Sequence, residues 1–351
     1  MHKHTKRIDR YCTIEYTTNT HQSLSRKGTS MIWNTFLLIS CVSSNKSTDT
    51  SSTTHEYPLD NIIRVTDGMA LGTHNSYHQQ PSSTTVDEWN YSHPPLPEQF
   101  DAGVRQIELD IQRNPETNAY QVLHVPVLDP ETSCFLLADC LQDIADWSSA
   151  HPWHFPIHVL LEPKSDIGSW GFGNDADAWS DIDALISSIV GDMVYTPHDQ
   201  RGNYASIRES VLSDGWATLD RIRGKVIFVL LNTGEARETY LSNHTALDFP
   251  TSKMIFPVVA ADNDFAGYFL QDDPFDTSIP SLVEQGFVVR TRGDAGLVED
   301  AQRLDTALNS GAHAISTDLP SSRFWMDATH PVVCNPVTSG DVENCGSELF
   351  E

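Results

Sequence analysis

The chain has 351 residues, 22 Lys and Arg against 48 Asp and Glu, a formal net charge of −26, and 39% apolar residues. It is long enough for one large domain or two ordinary ones and apolar enough to bury a core, which excludes a fibrous or disordered chain. A surface this acidic repels phosphate backbones, which excludes nucleic acid as a partner; an anionic substrate needs local Arg or Lys, or a bound metal ion.

The charge is uneven. Residues 1–41 carry six Lys and Arg and two Asp and Glu, a balance of +4 that leaves −30 for the remainder. Arg26-Lys27 precedes the apolar run Met31–Cys41, and a Ser/Thr-rich stretch follows from Ser43 to Thr54. A membrane-spanning helix needs roughly 20 apolar residues, so this shorter run reads as an export signal. Cys41 after Leu38-Ile39-Ser40 resembles a bacterial lipoprotein cleavage site. If that holds, Cys41 is the lipidated first residue and 43–54 a tether; otherwise the run is an ordinary signal peptide. The polar residues ahead of Met31 are too long for a signal n-region and point to an upstream start codon or a removable leader. Residues 1–59 are therefore expected to be leader and tether, and 60–351 a single domain.

From residue 60 onward, short β-rich runs alternate with helical patterns. The runs are Gly68–Gly72, Val104–Ile111, Gln121–Val125, Ile157–Glu162, Lys225–Asn232, Met254–Ala260, Phe287–Arg292 and His313–Thr317. Eight parallel runs predict an α/β fold, a TIM-type (β/α)8 barrel. The polar link from Asp110 to Gln121 is too short for a crossover helix, so the barrel should be irregular between strands 2 and 3. Leu137, Leu141, Ile144 and Ala145 recur at helical spacing, as do Trp179, Ile182, Leu185, Ile186 and Ile189, and also Ala301, Leu304, Ala307 and Leu308, which predicts three core-facing helix stripes. The loop Gln79–Pro97 should border a cleft, and Trp170, Phe172 and Trp179 should pack beneath loops. Cys134 with Cys140 and Cys334 with Cys345 form two close pairs, read as disulfides of an exported protein.

In a barrel of this type the chemistry sits at the carboxyl ends of the strands. His74-Asn75, Glu108 and Asp110, His124, and Glu162 with Lys164 end the first four predicted strands. Residues two apart on a strand share a face, so Glu108 and Asp110 point together, as do Glu162 and Lys164. Imidazoles hold or release protons near neutral pH, while carboxylate and amide oxygens suit calcium, so the set points to metal-assisted phosphodiester cleavage.

These motifs resemble the calcium-dependent phosphatidylinositol-specific phospholipase C family, over about residues 60–330. The likeness rests on His74-Asn75 after the first strand, Glu108-x-Asp110 on the second, His124 after the third and Glu162 on the fourth. It implies that Asn75, Glu108, Asp110 and Glu162 bind Ca²⁺, while His74 and His124 flank the phosphate as transition-state stabiliser and general acid or base. Lys164, Arg290 and Arg292 are expected to offer cations to the substrate phosphate, although Arg292 also has Asp294 within reach as a partner. Thr317-Asp318-Leu319-Pro320 resembles the family's last strand end.

The implied reaction releases diacylglycerol and a cyclic or open inositol phosphate. The alternatives are a glycerophosphodiester phosphodiesterase or sphingomyelinase-like lyase, against which Asn75 argues because the former typically carries Arg there, and a non-catalytic surface lipoprotein that binds polyols or lipid headgroups. A secreted glycan hydrolase would show paired carboxylates without the histidines. The expected partners are a phosphoinositide or glycerophosphodiester substrate and a membrane surface met peripherally. The expected state is an exported monomer.

Overall fold

The computed structural model describes residues 57–164, 170–231, 234–242, 244–326, 328–341 and 345–351, and three strands within the first 55 residues. Those three, His4–Arg7, Cys12–Thr18 and Thr35–Cys41, pair antiparallel in that order within a unit spanning Met1–His55. Of the predicted leader and tether 1–59, only these strands and residues 57–59 are described; Met31–Asn34 and the tether 43–54 lie outside the described residues.

The second unit, Glu56–Glu351, is built on eight parallel strands. These are β1 (Gly68–Thr73), β2 (Val104–Arg113), β3 (Ile157–Pro163), β4 (Val226–Leu230), β5 (Ile255–Pro257), β6 (Tyr268–Leu270), β7 (Val288–Arg292) and β8 (Ala314–Thr317). They run in order around the sheet with β8 beside β1, and a parallel bridge between Val258 and Tyr268 joins β5 to β6. The TIM-type barrel is the result. Among the described residues, no helix is long and apolar enough to cross a membrane.

Two strand assignments change. The third predicted run contributes Tyr120–Val122, which pairs antiparallel with β2 as the returning arm of a hairpin and is no barrel strand. Its place in the count is taken by β6, three residues long, which the sequence pattern did not reveal. The short polar link after Asp110 is thus a hairpin turn, which is where the barrel was expected to be irregular. A further strand, Val332–Cys334, pairs antiparallel with the lower part of β1.

Alternation along β2 decides what each face does. Ile107, Leu109 and Ile111 are fully buried in the apolar layer, each stabilising the fold by roughly 1.5–3 kcal/mol. Gln106, Glu108 and Asp110 occupy the opposite face, inside the barrel, and are equally buried. Gly72 on β1 permits that packing, because a Cβ there would come within 2.1 Å of Gln106 Oε1. Two of the predicted helix stripes fall on helices at Leu137–Ala150 and Ala176–Ile189, packed inward as expected. On the third, Ala301–Asn309, only Ala307 is buried, so that stripe is narrower than the pattern suggests. Phe172 and Trp179 are buried against each other, while Trp170 is half-buried. Both disulfides, Cys134–Cys140 and Cys334–Cys345, are present.

Candidate active site

Register brings the acidic residues together. Glu108 and Asp110 share the interior face of β2, and Asp110 is the register partner of Glu162 on β3. Ligand oxygens of Glu108, Asp110 and Glu162 lie within 4.8 Å of one another, the one such group of three His, Cys, Asp or Glu among the described residues. Three carboxylates this close repel one another. Burial, then the charges of Glu162 and Glu108, push Asp110 well above the usual carboxylate range, against the pull of Lys164. The Lys164 ammonium lies 3.3 Å from Asp110 Oδ2 and 3.2 Å from Glu162 Oε1. Burial opposes its charge, but the two carboxylates outweigh burial and hold it above the ordinary lysine range.

Asn75 stands two residues past Thr73, the last residue of β1, and is buried. Its backbone is left-handed (φ +47°), a conformation that Asn tolerates better than most residues, and it turns the chain just past β1. Ser76 ties that turn to β2: its amide donates to the Glu108 carbonyl at 3.0 Å, and its hydroxyl accepts from the Glu108 amide at 2.8 Å. Asn75 Oδ1 and Asp110 Oδ1 are buried with no hydrogen-bond partner among the described residues. Unpartnered buried oxygens beside clustered carboxylates are what a hard divalent cation satisfies, and the set of one amide and three carboxylates fits Ca²⁺.

His74 reaches this cluster, and His124 shares a cleft with His74. Thr73 and Thr317 are register partners on β1 and β8, so the next residues, His74 and Asp318, leave the barrel side by side. His74 Nδ1 lies 2.6 Å from Asp318 Oδ1, and Nε2 lies 3.5 Å from Glu108 Oε1. Burial alone would raise the Asp318 carboxyl, but His74 and Arg292 hold it well below the usual range. His124 follows the hairpin arm and donates from Nδ1 to Asp129 Oδ2 at 2.8 Å. Both imidazoles border a cleft of about 200 Å³ shared with Asn75, Glu88, Trp89, Tyr91, Arg292 and Asp318. The loop Gln79–Pro97 supplies Trp89 and Tyr91 and so borders the cleft. A wider depression of about 520 Å³, bounded by Arg64, Arg201 and Arg221, contains none of these ligands.

The three expected phosphate-binding cations fare differently. Arg292 borders the cleft and donates from Nη2 to Asp318 at 2.7 and 2.6 Å, so its partner is Asp318 and not Asp294. Asp294 instead accepts from the Asp318 amide at 2.7 Å and from the Thr317 hydroxyl. Lys164 sits among the carboxylates. Arg290, 1% exposed, donates to Glu108 Oε2 at 2.8 Å and pairs on its other side with Asp272, so it lies behind the cluster and braces it.

Several site groups escape sequence reasoning. Asp129, Asp272, His78, Trp89 and Tyr91 carry no motif of their own. Asp129 had one available signal: Pro126 two residues after His124 marks a turn, and a turn there returns residue 129 beside residue 125.

A family model described as Ca²⁺-dependent phosphoinositide phospholipase C matches residues 63–121 and 112–335. A search of curated proteins finds no match. Among solved structures, the Ca²⁺-dependent phosphatidylinositol-specific phospholipase C of Streptomyces antibioticus is 20% identical, with a TM-score of 0.58 over 78% of this chain and 99% of that one. The calcium-dependent phosphoinositol-specific phospholipase C of a Pseudomonas species, as its myoinositol complex, is 19% identical, with a TM-score of 0.56 over 79% of this chain and 97% of that one. At these identities the likeness establishes the fold.

Proposed function

The chain belongs to the Ca²⁺-dependent phosphoinositide phospholipase C family, and from that premise we propose that it cleaves the phosphodiester of phosphatidylinositol to diacylglycerol and a cyclic or open inositol phosphate. The observation that supports this reading is the grouping of Glu108, Asp110 and Glu162 within 4.8 Å, with His74 Nε2 3.5 Å from Glu108 Oε1 and with His74, His124 and Asn75 lining one cleft. A bound calcium ion supplies the charge that makes the inositol 2-hydroxyl more acidic and stabilises the phosphoryl oxygens. The rest falls to the protein's own groups.

His124, tied through Nδ1 to Asp129, has Nε2 left to take or return a proton at the reacting oxygens, worth about 10²–10⁴-fold in rate. His74, set between Asp318 and Glu108, is placed to donate to a phosphoryl oxygen as negative charge grows there. Arg292 adds positive charge at the same wall, and Lys164 helps to balance the carboxylates. The lipid is met at a membrane surface, peripherally. Residues 1–59 would serve export, consistent with two disulfides in the domain that follows, and the catalytic unit would work as a monomer.

The test is phosphorus NMR of the products from phosphatidylinositol vesicles, first with Ca²⁺ and then with a chelator. Release of inositol phosphate in calcium alone is the expected result. Release that persists in chelator, or faster turnover of glycerophosphocholine than of phosphatidylinositol, overturns the reading.

A further inference from the structure

We propose that Asp129 is the positioning residue for His124, and that His78 in turn holds Asp129, so that one carboxylate shared by two imidazoles determines which nitrogen of His124 meets the substrate. This rests on the reading of His124 as the group that moves a proton at the phosphodiester. Asp129 is fully buried. Its Oδ2 accepts from His124 Nδ1 at 2.8 Å, and both of its oxygens lie 3.0 Å from His78 Nε2. An ionised carboxylate only accepts, so both of those imidazole nitrogens donate. Although burial opposes it, the hydrogen bonds from His124 and His78 hold the Asp129 carboxyl below its usual range.

The consequence for His124 is a defined tautomer. With its Nδ1 proton committed to Asp129, neutral His124 presents a lone pair at Nε2; the other tautomer would set a bare nitrogen against a carboxylate. His78 is itself held, because its ring stacks on Tyr91 at 4.3 Å and is buried. The backbone is equally constrained. Val125 and Asp129 exchange amide hydrogen bonds at 3.1 and 2.9 Å across a turn that holds Val127 at φ +73°, a left-handed conformation unfavourable for a β-branched residue. A strained turn is thus kept where it returns Asp129 to the His124 ring. Trp89 meets the same ring edge to face at 5.6 Å.

A merely structural Asp129, stapling its turn to His78, predicts a different pattern of activities. The experiment measures kcat and KM on phosphatidylinositol vesicles at saturating Ca²⁺ for Asp129→Asn, His124→Ala and the double variant. Asn offers one acceptor oxygen and an amide that must donate, so it favours the wrong tautomer. Asp129→Asn should lower kcat by about 10²–10⁴-fold, leave KM and calcium dependence within about threefold, and displace the pH profile of kcat. In the His124→Ala background the same change should cost less than about twofold, since its effect runs through His124. Equal losses in both backgrounds, or wild-type kcat in Asp129→Asn while His124→Ala is inactive, overturn the proposal alone. Full activity of His124→Ala overturns the reading of His124 and this proposal with it. Should Asp129→Asn fail to fold, nitrogen NMR of the unaltered protein decides: His124 protonated at Nδ1 is expected, and a neutral ring protonated at Nε2 refutes it.

Discussion

Arg290 shows how one buried charge is justified by its surroundings. Its guanidinium is 1% exposed, bonded to Glu108 on one side and Asp272 on the other. Removing one partner of a buried pair leaves the other charge uncompensated, which typically costs about 3–5 kcal/mol. Arg290→Met should therefore destabilise the barrel by about that amount, read from urea unfolding in chelator, and by less in saturating Ca²⁺, which supplies Glu108 with a replacement cation. An equal loss in both conditions would separate Arg290 from the metal cluster. Glu108 and Asp110 were legible because spacing on a strand dictates a shared face. Asp272 was not, because 18 residues of chain and a loop separate it from Arg290 and only the closed barrel brings them together.

At the scale of elements, tight turns and cross-links hold the barrel's ends. Gly224 precedes β4 at φ +71°, and a Cβ there would come within 2.5 Å of the Pro152 carbonyl oxygen. Gly224→Ala meets both a left-handed backbone and immovable backbone atoms, so a loss of roughly 1–3 kcal/mol is expected by thermal unfolding. The Cys334–Cys345 disulfide anchors the antiparallel strand Val332–Cys334 on β1. Replacing both cysteines by Ser should cost about 2–4 kcal/mol in chemical denaturation, while kcat stays within about twofold because the site lies at the opposite ends of the strands. Strand order was readable where apolar runs are long, as at Val104–Ile111. It failed at Gln121–Val125 and at Tyr268–Leu270, because a run's composition does not encode the direction of its partner and three residues are too few to show a period.

For the molecule as a whole, four buried histidines set the response to acid. Burial lowers His93 and His154 to about 4, and His158 and His313 to about 3. Their folded values lie below the unfolded value near 6.5, so between those limits the unfolded chain binds more protons and stability rises with pH. The contribution is fully present above about pH 6.5 and is lost progressively as pH falls toward 4 and then 3. Asp110, raised well above its usual range by burial, works in the opposite direction, as do Asp143, Asp183 and Asp294, but these carboxyls start from the ordinary range near 3.8, below the window in which the four rings act. The urea midpoint measured in chelator should therefore fall from pH 6.5 to pH 5; a rise over that range would show that these rings are protonated in the folded state.

The sequence by itself determined the alternation of strand and helix, the face shared by Glu108 and Asp110, the two cysteine pairings and the presence of His74-Asn75 and Glu162 at the ends of barrel strands. Each of these depends on spacing along the chain, which a one-dimensional pattern records. Only the closed barrel decided that Arg290 braces Glu108 while Arg292 binds Asp318, that Tyr120–Val122 runs antiparallel, and that Asp129 lies between His78 and His124. Those outcomes depend on which distant segments share a register or a loop, and that follows from packing the whole chain around one axis.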